Sequence, residues 1–283
     1  MTNRRLLIAA VTLLALCLVA IFVARVTTDS KGPADMSPPQ TNNAPAETDA
    51  TLARYKVINS YPHDRRAFTQ GLVYEDGFLY EGTGLYGQSA IIRRELETGE
   101  VVKRLRLPSK YFGEGITIFG DRLIQLTWRS NTGFVYTKDR FTLLREFTYP
   151  TEGWGITHDG RQLIYSDGTA TLHFLDPNTY SETGQIKVRD RGRPVHGLNE
   201  LEFIDGAIYA NIWPTDRIVV IDPRTGSVTR SIDLTDLYPR SGRSEDVLNG
   251  IAYLPDTGHL LVTGKRWPRL YEIQLVSESS RKE

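Results

Sequence analysis

The sequence predicts an all-β fold: a five-bladed β-propeller with blades of about four antiparallel strands, preceded by an N-terminal apolar helix. Three observations carry this expectation. A lead residue, a small position (usually Gly) and alternating apolar residues recur five times, each time entering a hairpin. The copies are QGLVYEDGFLYEG from Gln70, EGITIFGDRLIQLTW from Glu114, WGITHDGRQLIYSDG from Trp154, NELEFIDGAIYANIW from Asn199 and NGIAYLPDTGHLLVTGK from Asn249. Successive leads lie 44, 40, 45 and 50 residues apart, a period that belongs to propellers and other repeat arrays. Finally, the region after residue 50 carries no long 3.6-residue apolar period, while turn residues punctuate it throughout.

The first fifty residues stand outside this pattern. Arg4 and Arg5 precede a charge-free apolar run from Leu6 to Ala24, with Thr12 its one polar residue, closed by Arg25. A basic start before an apolar core is an export signal. Its length approaches the roughly 20 residues that span a bilayer. Phe22-Val23-Ala24 is a poor cleavage site, and Leu14-Ala15-Leu16-Cys17 only loosely resembles a lipoprotein box. Residues 1–25 are therefore a signal peptide or signal anchor, with an uncleaved anchor favoured. Arg4 and Arg5 held inside place the rest of the chain outside. Localisation is exported, periplasmic or extracytoplasmic, with residues 6–24 as the tether. Residues 26–50, rich in Thr, Pro, Asn, Asp and Ala, read as a disordered linker. The propeller is expected over 51–277, with a polar tail at 278–283.

Between the copies come further strand–turn–strand units. They are Arg93–Val102 around Thr98-Gly99, His173–Thr179 around Asp176-Pro177, and Val219–Val228 around Asp222-Pro223 and Thr225-Gly226. With the lead hairpins they make about four strands per unit, one blade each. The last unit supplies strands near Asn249–Leu254, His259–Thr263 and Arg269–Val276, one short of a blade. Arg54–Asn59 is expected to provide the missing outer strand, closing the ring and removing exposed edges. Gly71, Gly115, Gly155 and Gly250 follow their leads where innermost strands crowd the axis; only the fourth copy differs, with Glu200.

Composition narrows the function. The 283 residues hold 34 Lys plus Arg and 34 Asp plus Glu. The zero net charge and the lack of a basic run argue against a nucleic-acid partner. The single cysteine, Cys17, lies in the apolar run, which leaves no disulfide and no thiolate metal site in the folded part. The histidines at 63, 158, 173, 196 and 259 show no metal-ligand spacing. Gly82-Thr83-Gly84-Leu85-Tyr86-Gly87 matches G-x-G-x-x-G but no helix pattern follows, so a dinucleotide site is not indicated. No G-x-S-x-G elbow occurs.

In a ring, the five leads cluster about one axis. The start of each hairpin's first strand lies beside the end of its second. The leads should therefore share a face with Glu81, Trp128, Asp167, Trp213 and Lys265. Glu114, flanked by Gly113 and Gly115 and near Trp128 and Trp154, is the candidate proton carrier, since desolvation would raise its pKa into a useful range. A capping glutamate is the plainer alternative, and the repeat alignment weighs against it. Trp128, Trp154, Trp213 and Trp267 all fall at hairpin mouths, which suggests an aromatic wall. Lys265 is a candidate carbonyl ligand or partner for Glu114, against the plain reading of a surface lysine. Asn199, Gln70 and Asn249 are candidates to orient an amide, against the plain reading of satisfying backbone groups at the channel mouth.

At these residues the chain strongly resembles the plant and bacterial (papaya-like) glutaminyl cyclotransferases, from about Tyr55 to Leu275. The resemblance is carried by Phe68–Leu72, Gly82–Ser89, Phe112–Gly115, Leu126–Trp128, Glu152–Gly155, Leu198–Glu202, Asn211–Trp213, Leu248–Ile251 and Gly264-Lys265. It implies a five-bladed propeller that converts N-terminal glutamine of peptides or proteins to pyroglutamate, releasing ammonia. It implies Glu114 as the catalytic acid/base and Gln70, Trp128, Trp154, Asn199, Trp213 and Lys265 as its substrate-binding partners. The chain offers no ligand set like that of the zinc-dependent enzymes of the same activity. The expectation is metal-independent turnover with no cofactor, leaving room for a structural cation in the central channel. A monomer that meets the membrane only through its N-terminal segment is expected. Two other readings stay open: a non-catalytic propeller binding peptides or cell-envelope partners, and a lactonase-like site in which Glu114, Asn199 and Asn249 hold a divalent cation.

Overall fold

The computed structural model describes residues 50–238 and 246–276. The expected anchor, nearly all of the linker, and the tail at 278–283 lie outside the described residues. Among the described residues there is no helix; the structure is all-β and propeller-like.

A first strand, β1 (Thr51–Pro62), leads into a sheet of β2 (Thr69–Glu75), β3 (Phe78–Thr83), β4 (Ala90–Glu95) and β5 (Val101–Arg106), paired in that order. The next sheet holds β6 (Gly113–Phe119), β7 (Arg122–Thr127), β8 (Thr132–Thr137) and β9 (Leu143–Thr148). A third holds β10 (Ile156–His158), β11 (Leu163–Ser166), β12 (Thr171–Leu175) and β13 (Glu182–Lys187), followed by a small pair, β14 (Arg189–Asp190) and β15 (Arg193–Pro194). Then come β16 (Leu198–Ile204), β17 (Ala207–Ile212), β18 (Arg217–Ile221) and β19 (Val228–Asp233), and finally β20 (Leu248–Leu254), β21 (His259–Gly264) and β22 (Arg269–Val276).

The closure expected from the sequence is present. β1 pairs antiparallel with β22, from Arg54 opposite Val276 to Pro62 opposite Arg269, as the outermost strand beside β22, β21 and β20. It also does something the sequence did not indicate. Thr51–Ala53 runs parallel to Arg230–Ile232 of β19, welding two four-strand groups into one eight-stranded sheet. One strand thus covers two edges that would otherwise offer unpaired backbone groups.

Burial follows strand position. β5 and β13 alternate between exposed and half-buried residues, the period-2 signature of a strand with one wet face. The lead strands β6 and β20 are buried almost throughout, and β2 and β16 through their first halves, packed between neighbouring lead strands. β2, β6, β10, β16 and β20 contact one another in cyclic order, with β20 returning to β2. Apolar side chains fill the wedges between successive sheets; Ile164 and Leu172, for instance, pack with Leu198, Leu201 and Ile208.

The axis explains the glycines. A Cβ on Gly115 would lie 2.7 Å from the Trp154 carbonyl oxygen and 2.8 Å from the Gly155 Cα, closer than side-chain carbons approach. The fourth copy has Glu200 at this position, and its side chain fills the centre instead. One carboxylate oxygen accepts the Leu72 N–H at 3.1 Å and the other the Ile251 N–H at 2.8 Å. Glu200 so satisfies donors on β2 and β20 from β16. Burial, with some help from the Glu202 charge, pushes its pKa well above the ordinary glutamate range. Because both oxygens are acceptors, the amide of Glu200→Gln would turn its NH2 towards one of those N–H donors. That substitution is expected to destabilise the fold by about 1–3 kcal/mol, read as a lower urea midpoint; an unchanged midpoint would show that the axis repacks freely.

Candidate active site

Four of the five lead strands do not begin as regular β-structure, and in the third copy Trp154 precedes β10 altogether. Pairing jumps from Thr69 opposite Thr83 to Gly71 opposite Gly82, which leaves Gln70 out of register. It jumps likewise across Glu114–Gly115, Asn199–Glu200 and Asn249–Gly250. Such bulges re-aim a side chain, and each contains a lead residue. Gln70, Glu114, Trp154 and Asn199 converge with Trp128, Trp213 and Lys265 on one cavity of about 660 Å³. All seven residues named from the sequence for the site therefore line one basin.

The register corrects other expectations. Leu72 pairs with Glu81 as Ile116 pairs with Gln125, so Glu81 lies three residues short of the position held by Trp128. It is completely buried away from the basin. It accepts hydrogen bonds from Thr69 Oγ1 at 2.7 Å and Arg94 Nη2 at 2.6 Å, with His63 Nε2 at 3.0 Å. Burial alone would raise its pKa, but His63 and Arg94 hold it down to about 2. Asp167 is one residue short by the same register. It pairs with His173 Nε2 at 3.1 Å and does not line the basin.

The true equivalents of Trp128, Trp213 and Lys265 in the first and third copies are Gly84 and Gly168, which make room for rings. Phe112 packs against the Cα of Gly84, and Trp154 against that of Gly168, where any side chain would collide. The backbone carries the same equivalence. The N–H groups of Gly84, Trp128, Trp213 and Lys265 donate to the carbonyls of Phe68, Phe112, Gly197 and Val247 at 2.8, 3.0, 2.8 and 2.9 Å. Each acceptor stands two places before a lead.

Trp267 is a further correction. It is 2 % exposed, donates its indole N–H to the Asp246 carbonyl at 3.3 Å and packs on Tyr238, so it belongs to the core rather than the wall. Asn249 is also off the wall. Its amide donates to the Thr69 carbonyl at 3.0 Å and Gln70 Oε1 at 3.2 Å, clamping Gln70 from behind.

Sequence reasoning missed Phe68, Phe112 and Glu152, together with Arg129 and Pro214 at the rim. The first three each stand two places before a lead, and that regularity was the available signal. Glu152 ties three side chains of the wall and rim together. Its Oε2 accepts the indole N–H of Trp128 at 2.7 Å and of Trp154 at 3.0 Å, and its Oε1 accepts Arg129 Nε at 3.0 Å. The Arg129 guanidinium lies 3.8 Å over the Trp128 ring. Phe112 meets Trp128 edge-on at 5.4 Å, and Trp154 meets Trp213 at 5.8 Å.

At the floor, Glu114 is 4 % exposed and accepts a hydrogen bond from Gln70 Nε2 at 3.0 Å. Burial pushes its pKa well above the usual carboxylate range; the Lys265 charge opposes this and the Glu152 charge adds to it. Burial in turn pulls Lys265 down to about 8 against the pull of Glu114. The Lys265 Nζ sits 4.8 Å over the Phe68 ring. The Asn199 Oδ1 is buried with no protein partner, an acceptor left for a ligand. Among the described residues no group of three or more His, Cys, Asp or Glu side chains could hold a metal ion.

A buried carboxyl group and a buried lysine beneath an aromatic wall, on a propeller-like scaffold, make a basin suited to an enzyme that uses acid–base chemistry. The particular kind follows from its relatives. The family model for glutamine cyclotransferases matches residues 33–275. A glutaminyl-peptide cyclotransferase of Arabidopsis thaliana is 42% identical over 248 residues, covering 86% of this chain and 78% of that one. The crystal structure of Myxococcus xanthus glutaminyl cyclase superposes with a TM-score of 0.75 at 38% identity, over 80% of this chain and 98% of that one. The chain belongs to the glutamine cyclotransferase family.

Proposed function

We propose that this glutaminyl-peptide cyclotransferase closes an N-terminal glutamine into pyroglutamate in the tryptophan-walled basin, with Glu114 carrying the proton. The observation that carries the reading is Glu114 itself, a desolvated carboxyl group held by Gln70 at the floor of a cavity of about 660 Å³. The substrate holds both nucleophile and electrophile, so positioning does much of the work. The tryptophans hold the glutamine side chain folded back on its own α-amine and keep water out. The neutral amine nitrogen attacks the γ-carboxamide carbon, and the new C–N bond makes a tetrahedral oxyanion. Glu114 takes the proton from that nitrogen and delivers it to the departing amide nitrogen, which leaves as ammonia. The Lys265 ammonium faces the oxyanion, while Asn199 Oδ1 accepts from the carboxamide NH2. The indoles of Trp128 and Trp154 are not the oxyanion donors, because Glu152 already holds both N–H groups.

The reading extends to what surrounds the site. Taking β1 with β20–β22 as one unit gives five blades around the axis. Turnover needs no metal or other cofactor, the enzyme is a monomer, and residues 6–24 tether it to the membrane with the propeller outside. An ammonia-release assay on a Gln-initiated peptide, with chelator present throughout, tests the core of this reading. Ammonia and a pyroglutamyl product are expected. Binding without ammonia release would instead make this a peptide-binding propeller, and loss of turnover in chelator would restore a metal.

A further inference from the structure

A second cavity, of about 380 Å³, lies beside the basin behind Phe68 and Gly84. Its floor includes Ala67, Thr83 and Ile92, all buried. Its rim carries Arg66, Arg104 and Arg106. We propose that this cavity is a subsite for an acidic side chain of the peptide substrate, downstream of the N-terminal glutamine. The proposal rests on the cyclotransferase reading above and extends it to the part of the substrate outside the basin.

Charge is the first argument. Asp64, the one acid lining the cavity, is spent on Arg66 at 3.2 Å. Arg104 and Arg106 alternate with Leu105 on β5 and so project from the same face. Among the described residues no carboxylate pairs with either of them. The cavity therefore holds two uncompensated guanidinium groups in a chain whose net charge is zero. Guanidinium recognises carboxylate through two parallel hydrogen bonds, which favours Asp and Glu over neutral side chains.

Position is the second argument. Ala67 lines the cavity and Phe68 the basin; Thr83 and Gly84 line the cavity while the site of a Cβ on Gly84 lies 3.1 Å from Gln70 Cγ. The two spaces are thus separated by a wall one residue thick. Cyclisation consumes only the first residue of the substrate, so the following residues must leave across the rim. A chain leaving past Phe68 on this side reaches the arginine-lined cavity.

The test uses the full chain and Gln-initiated peptides that differ in one residue, Glu, Gln or Lys, walked outward from the second position. Glu at one position is expected to raise kcat/KM about five-fold over Gln through a lower KM, the scale of two partly exposed charge pairs. Lys there should lower it. The double variant Arg104→Gln/Arg106→Gln should erase the preference while turning over the all-neutral peptide at the wild-type rate. Binding of the same peptides, labelled and given a non-cyclising N-terminal Asn, reads the cavity independently of turnover. If Glu helps at no position, or its advantage survives the double variant, the subsite is wrong. Protection by inorganic phosphate with no effect of peptide charge would make the cavity a free-anion pocket and overturn it equally. If no peptide is cyclised while the charge preference in binding persists, it is the cyclotransferase reading that fails.

Discussion

Glu114→Gln is expected to lower kcat by about 10²–10⁴-fold, the range a positioned general base supplies, while KM for a Gln-initiated peptide stays within a few-fold of wild type. The substitution is close to isosteric, and the new amide oxygen still accepts from Gln70 Nε2, which holds Glu114 at 3.0 Å. Bulge geometry and the close packing at Gly115 fix the backbone on either side, so the aromatic wall has no reason to move. On the proposed mechanism, what disappears is the group that takes a proton from the amine and returns it to the leaving nitrogen, while Lys265 is kept as the cation facing the oxyanion. Steady-state kinetics with equilibrium peptide binding separates the outcomes. A variant that keeps most of its kcat would remove Glu114 from proton transfer, and one that loses binding would make it a substrate anchor.

The five leads were legible because a ring forces equivalent residues onto one axis, and the turn and apolar pattern alone located the hairpins. Seven of the ten residues that the repeat placed on that face reach the basin, and they are the seven that the family resemblance implies. Two of the errors are errors of register. Asp167 stands one residue and Glu81 three residues short of the equivalent of Trp128, and an odd slip turns a side chain to the other face. The equivalents, Gly84 and Gly168, carry no side chain and so gave no chemical signal, although they decide where Phe112 and Trp154 rest. Trp267 failed differently, since its position after β21 resembled a mouth while its ring turned inward over Gly264. The parallel weld between β1 and β19 left no trace in a local pattern, being a contact between distant segments. Glu152 was visible as part of a motif, but two indoles sharing one carboxylate oxygen is a fact of three dimensions.

That shared oxygen leads to the second large effect. Glu152→Ala is expected to cost about 10²-fold in kcat/KM, the cost of letting a substrate-positioning wall shift by about an ångström. Trp128 and Trp154 would each lose the acceptor that fixes the indole edge, and the Arg129 guanidinium would lose its counterion over Trp128. Glu152→Gln should behave otherwise, because its amide oxygen can still accept both indole N–H groups while the charge is gone. The sign then follows from Glu114. As the base, Glu114 works when ionised, so activity falls as pH drops through its raised pKa. Burial is the main cause of that raised value and the Glu152 charge adds to it; Glu152 is ionised because the hydrogen bonds from Trp154, Arg129 and Trp128 outweigh its own burial. Removing the charge lowers the Glu114 pKa and moves the acid limb of kcat/KM to lower pH. The alkaline limb, set by Lys265 near 8, feels burial and Glu114 but not Glu152, and should stay in place. A full pH profile of both variants, with near-ultraviolet circular dichroism to report on the indoles, reads charge and scaffold separately. If Glu152→Gln loses as much activity as Glu152→Ala with the acid limb unmoved, the carboxylate acts on substrate directly rather than through the wall and Glu114.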